Sequence, residues 1–104
     1  MMTTPALKCF SIRFPVKHPA GACRVCGLTP VDQPGWQSEL PHIVCYLCCD
    51  RVRAIINPAK RDRDLVALAL TSTHSPNLLT LALHNASGDW RRVMIHRRIR
   101  ELRK

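Results

Sequence analysis

Apolar and polar positions follow two different rhythms along this chain. Near its start Phe10, Ile12, Phe14 and Val16 alternate with polar or small residues, the two-residue period of a short strand. Beyond Ile56 the rhythm turns helical. Leu65, Val66, Leu68 and Leu70, then Leu78, Leu79, Leu81 and Leu83, offer enough apolar surface for a compact three-helix packing, and Ile95, Ile99 and Leu102 form the buried stripe of the last helix. The pattern predicts helices near 48–57, 59–72, 76–86 and 90–103.

Local punctuation supports these boundaries. Asn57-Pro58 and Ser75-Pro76 each join an N-cap residue to a proline at the first helical position, where the missing N–H costs nothing. Gly88 can end the helix that starts at Pro76, and Asp89 can cap the next one. A hairpin competes for the same stretch: Leu79, Leu81 and Leu83 also alternate, Ala86-Ser87-Gly88-Asp89 suits a turn, and residues 90–96 suit a returning strand. The capping residues favour helices, which makes a helix-turn-helix possible, with residues 89–104 as the helix offered to DNA.

Six of the eight prolines and three of the four glycines fall in residues 1–41, so the first part is loop-rich and needs something other than a core to hold it. Its cysteines supply the means. Cys23-Arg24-Val25-Cys26-Gly27 is followed, after an eighteen-residue insert, by Cys45-Tyr46-Leu47-Cys48. Two such pairs form the ligand set of a structural four-thiolate zinc site, each pair folding into a tight knuckle with both sulfurs at about 2.3 Å from one ion. Gly27 relieves the crowding of the turn. Four thiolates on one divalent ion leave surplus negative charge, which Arg24, Arg51 and Arg53 are placed to offset. The metal ligands are therefore expected to be Cys23, Cys26, Cys45 and Cys48, with Cys9 and Cys49 as small buried apolar residues and His18 and His42 as loop histidines. Residues 28–41 make an irregular hairpin in which Trp36 covers the site.

Disulfides would require an oxidising compartment. Lys8 and Arg13 interrupt the apolar residues of the first fourteen, which removes a signal-peptide core, and the apolar run 65–70 is too short to span a membrane. The expectation is a reducing cytoplasm, no membrane, and one structural zinc ion.

Cys45-Tyr46-Leu47-Cys48-Cys49-Asp50-Arg51-Val52-Arg53-Ala54-Ile55-Ile56 reads as an amphipathic helix growing out of the metal site, which is treble-clef order. With the Cys-x2-Cys-Gly opening, the eighteen-residue insert, Pro41, Asp50 and Ile55-Ile56, residues 23–56 resemble the N-terminal zinc-binding domain of the ClpX unfoldase family. The resemblance implies a treble clef that can pair with itself as a homodimer and engage protein partners. It does not imply an unfoldase, because no Gly-x4-Gly-Lys-Ser/Thr phosphate loop occurs. The finger of the DksA and TraR regulators is a looser likeness.

Charge changes the picture of the second half. Residues 1–50 carry four basic and three acidic groups, whereas residues 51–104 carry twelve and four, which accounts for most of the net +9. This is the electrostatic footprint of a polyanion partner. Arg91, Arg92, Arg97, Arg98, Arg100 and Arg103 are the expected phosphate contacts, since the guanidinium fork suits phosphate and guanine edges.

His74, Asn77 and His84 raise a degenerate HNH nuclease, but they surround a proline-capped segment instead of a strand feeding a metal-bearing helix, and acidic ligands are scarce. The sequence is read as a small α-rich metal-stabilised fold: a treble-clef finger with an N-terminal strand over 1–57 and a basic helical segment over 58–104, packed as one unit. The expected function is non-enzymatic binding of DNA or RNA by a regulator of bacterial or phage type. The alternative is an adaptor that docks on a larger machine such as a protease or RNA polymerase.

Overall fold

The structure, a computed structural model, describes residue 7 and residues 12–19, 21–28 and 44–104. Its elements are four helices, α1 (Tyr46–Ile56), α2 (Arg63–Thr71), α3 (Pro76–Asn85) and α4 (Asp89–Leu102), and no strand is present among the described residues. The helices close a ring of contacts in which α1 packs on α2 and α3, and both of these pack on α4.

Apolar residues at helical spacing fill that ring. Val52 and Ile55 of α1, Val66 and Leu70 of α2, Leu78, Leu79, Leu81 and Ala82 of α3, and Ile95 of α4 are all buried in one cluster, which continues through Leu7, Val25 and Val44 to the cysteines. Two expected core residues are not part of it. A nine-residue helix offers a narrow inward stripe, which Val66 and Leu70 occupy at i and i+4, so Leu65 and Leu68 point outward at 56% and 68% exposure. Ile99 and Leu102 are half-buried, while Ile95 is fully enclosed.

The choice between helix and hairpin over residues 77–98 falls to helices, for the reason the capping residues give. The Ser75 hydroxyl accepts from the Leu78 N–H at 3.3 Å, and Pro76 occupies the first turn. Asn57-Pro58 does the opposite of what its order suggests. Asn57 is the C-cap of α1, its N–H donating to the Arg53 carbonyl at 2.9 Å, and Pro58 stops that helix instead of starting the next. Consequently α2 begins only at Arg63, where the Asp62 carbonyl accepts from the Leu65 and Val66 N–H groups at 3.0 and 3.2 Å. Gly88, not Asp89, holds the N-cap position of α4, with φ +87°, a left-handed value for which glycine is suited.

The expected strand over Phe10, Ile12, Phe14 and Val16 is absent from its described part, residues 12–16, and Phe10 lies outside the described residues. At the end of the segment a side chain takes the place of a partner strand, that of Asn77. Its amide accepts from the Val16 N–H at 2.9 Å and donates to the Val16 carbonyl at 2.7 Å, as a neighbouring strand would. The same Nδ2 donates to the Arg24 carbonyl at 3.0 Å, so one buried side chain of α3 holds both the N-terminal segment and the first cysteine pair.

Candidate metal centre and basic helix face

The first cysteine pair sits in a tight turn closed by the Gly27 N–H donating to the Cys23 carbonyl at 2.9 Å. Gly27 has φ +69°, and a Cβ there would overlap the His18 ring, so both backbone and space require glycine. The second pair comes from a helix start. Cys45 is the N-cap of α1 and Cys48 lies in its first turn, the arrangement that treble-clef order predicts. Of the hairpin expected between them, all but Leu28 lies outside the described residues, as do Cys9, Trp36 and His42.

The sulfurs of Cys23, Cys26, Cys45 and Cys48 all lie within 4.8 Å of one another, with Cys26 and Cys45 at 3.9 Å. Four sulfurs at 2.3 Å from a tetrahedral centre are about 3.8 Å apart, so the set can close on a single ion with small adjustment. Backbone donors surround it: the N–H groups of Val25 and Cys45 point at the Cys23 sulfur at 3.4 and 3.3 Å. The Cys48 thiol hydrogen-bonds the Cys23 sulfur and these backbone donors add to it, outweighing burial and holding Cys23 down to about 4. Burial pushes the Cys45 thiol up, and Cys48 is driven up by its bond to Cys23 and by burial. The four sulfurs thus pull one another's ionisation in opposite directions, and a cation held among them would favour the thiolate at every position. An all-thiolate tetrahedron with a knuckle on one side and a helix start on the other is the donor set of structural zinc.

Cys49 is fully buried beside this set, as expected for a small apolar residue. His18 lines the same cleft as Cys26 and Cys48, with its Nε2 3.3 Å from the Val25 carbonyl and its ring against Gly27. The histidine's proximity in sequence to the first cysteine pair was its sole signal. Of the arginines expected to offset the thiolate charge, Arg51 lines the cleft beside Cys26 and Cys48, Arg24 is exposed on the knuckle, and Arg53 is enclosed by the helices at 7% exposure.

The six arginines of α4 and its end separate into two groups. At 3.6 residues per turn Arg91, Ile95, Arg98 and Leu102 share about 60° of arc, and Arg92, His96, Arg100 and Arg103 share about 80° centred roughly 130° away. The first group faces inward. Arg91 is 4% exposed, donates to the carbonyls of Ser87 and of Pro58, and lies with its guanidinium 4.5 Å from the centre of the Trp90 ring. Burial pushes its guanidinium below the ordinary range. Arg98 donates to the carbonyls of Thr71 and Thr73 at 3.2 and 3.1 Å and pairs with Glu101 at 3.1 Å. Each inner arginine therefore closes the carbonyl end of another helix, Arg91 just beyond α1 and Arg98 at α2, where the helix dipole favours a cation. Arg92, Arg97, Arg100 and Arg103 are exposed, as are His96 and Lys104.

Asn77 is engaged with three backbone groups, while His74 and His84 are exposed, His74 with its Nδ1 3.2 Å from Arg98. No helix among the described residues is long and apolar enough to cross a membrane. Comparison with known proteins finds no matching family, no matching curated protein and no matching solved structure.

Proposed function

We propose that this chain is a zinc-stabilised nucleic-acid-binding protein of regulatory type, without enzymatic activity, in which the knuckle and α1 are structural and α4 meets the nucleic acid. The observation that carries the reading is the outer stripe of α4, where Arg92, Arg100 and Arg103 project to solvent in line with His96, and Arg97 and Lys104 flank them. The helix is about 21 Å long and, at about 10–12 Å across, slender enough for a DNA major groove, and it follows α3 across a turn containing Gly88, as in a helix-turn-helix. Arg91 and Arg98 are assigned to the fold, which leaves Arg92, Arg97, Arg100 and Arg103 for phosphate. The four sulfurs gathered by the knuckle and α1 support zinc within this reading.

Titration of the zinc-loaded protein into labelled duplex DNA, single-stranded DNA and RNA across a salt series tests it. Changing the four outer arginines to glutamine should flatten the slope of log affinity against log salt by about 3 to 4, near 0.9 for each duplex phosphate that an arginine no longer neutralises. Absence of binding at low salt, or an unchanged slope in the variant, refutes the assignment.

A further inference from the structure

Between α3 and α4 runs an open cleft of 910 Å³ used neither by the thiols nor by the inner arginines. Its surface is mainly apolar, formed by Leu83, Val93, Ile99 and Leu102, and Arg100 and Arg103 line it as well. Among the described residues that line it there is no carboxylate and no Phe, Tyr or Trp. Val93 is 51% exposed, although it lies on a helix otherwise rich in charge.

A phosphate backbone makes use of the arginines alone and leaves the apolar surface facing water. An unstacked base can lie on the His96 ring or on a guanidinium plane, yet it too leaves the valine and leucine surface facing water. Apolar surface flanked by guanidinium groups is instead complementary to a helix with leucine-like side chains on one stripe and carboxylates beside it. We propose that the α3–α4 cleft docks an acidic amphipathic segment of a protein partner, its apolar side chains on Val93 and Leu102 and its carboxylates on Arg100 and Arg103. Docking stands independently of nucleic-acid binding. Its regulatory consequence rests on that reading: because Arg100 and Arg103 belong to both surfaces, the bound segment displaces nucleic acid.

The probe is a fluorescein-labelled designed helix of about 18 residues, five turns, with leucines three and four apart and glutamates elsewhere. It is titrated with the zinc-loaded full chain in the absence of nucleic acid. The expected result is saturable binding, weakened about tenfold or more by Val93→Glu and, separately, by Arg100→Glu with Arg103→Glu. Leu68→Glu, at an exposed leucine outside the cleft, leaves it unchanged. Zinc content and circular dichroism matching the parent show that each variant is folded. The proposal is overturned if no saturable binding occurs, if Val93→Glu has no effect, or if a probe with its leucines changed to serine binds equally well. It is also overturned if the chain forms a dimer that Val93→Glu dissolves and no probe binds, which gives the cleft to a second copy. If duplex DNA binds and the probe does not, docking alone is removed; if the probe binds and no nucleic acid does in its own titration, the nucleic-acid reading alone is removed.

Discussion

The knuckle and the inner face of α4 both bury groups that favour charge, and they satisfy them by opposite means. Around Cys23 the chain brings together four sulfurs that could hold one metal ion, with a few backbone N–H donors beside them. Along α4 the chain supplies its own counter-groups, as Arg91 and Arg98 reach carbonyls left open beyond α1 and at the end of α2. The difference predicts that one end of the molecule depends on metal and that the other does not. Asn77 is the joint between them, since it belongs to the helical core and bonds the chain just before the knuckle and within it.

Removing the metal tests this contrast most severely. Cys45→Ser, or chelation of the parent protein, is expected to abolish stoichiometric zinc and with it an apparent contribution of about 10 kcal/mol, the lower range for structural zinc sites. Hydrogen exchange should show the amides of residues 21–28 and the first turn of α1 opening while α3 and α4 stay protected. If all four helices lose protection together, the two regions are one cooperative unit and the contrast fails. Asn77→Ala comes next: it strips partners from three half-buried backbone groups and should lower unfolding stability by about 2–4 kcal/mol in a denaturant titration. A smaller effect would mean the knuckle is anchored chiefly by metal.

Within α4 the contrast sharpens to neighbouring residues of one type. Arg91→Gln is expected to cost about 1–3 kcal/mol, because the carbonyls of Ser87 and Pro58 lose a charged donor, whereas Arg92→Gln should stay within about 0.5 kcal/mol. Nucleic-acid affinity should respond in the reverse order. Thermal melts and salt-dependent binding of the two variants check both halves. The smallest effect concerns the boundary that decided helix over hairpin: Ser75→Ala should cost about 1 kcal/mol, the worth of an N-cap hydroxyl, and shift the melting temperature by a few degrees without altering zinc content.

Much of this was legible in the residue order because the physics involved is local. The two Cys-x2-Cys pairs, Gly27 and a helix beginning at the second pair follow from spacing alone, as does α3 from Ser75-Pro76. Asn57-Pro58 misled because the same dipeptide can stop one helix or start the next, and here Asn57 caps α1 while α2 begins only at Arg63. The alternation through Ile12, Phe14 and Val16 suggested a strand, yet its hydrogen bonds are taken by Asn77, 61 positions beyond Val16. Leu65 and Leu68 looked like core because apolar spacing does not say which side of a short helix faces inward.

By itself, then, the sequence determined the four-thiol ligand set, the helical character of the second half and its concentration of positive charge, since ligand spacing, capping and composition act over a few residues or by simple sum. Only the tertiary structure decided which arginines are internal and which are free to meet a partner, and that Asn77 joins the two halves. Those outcomes depend on where distant carbonyls come to lie once the helices pack, because a guanidinium or an amide can be buried only where such groups meet it.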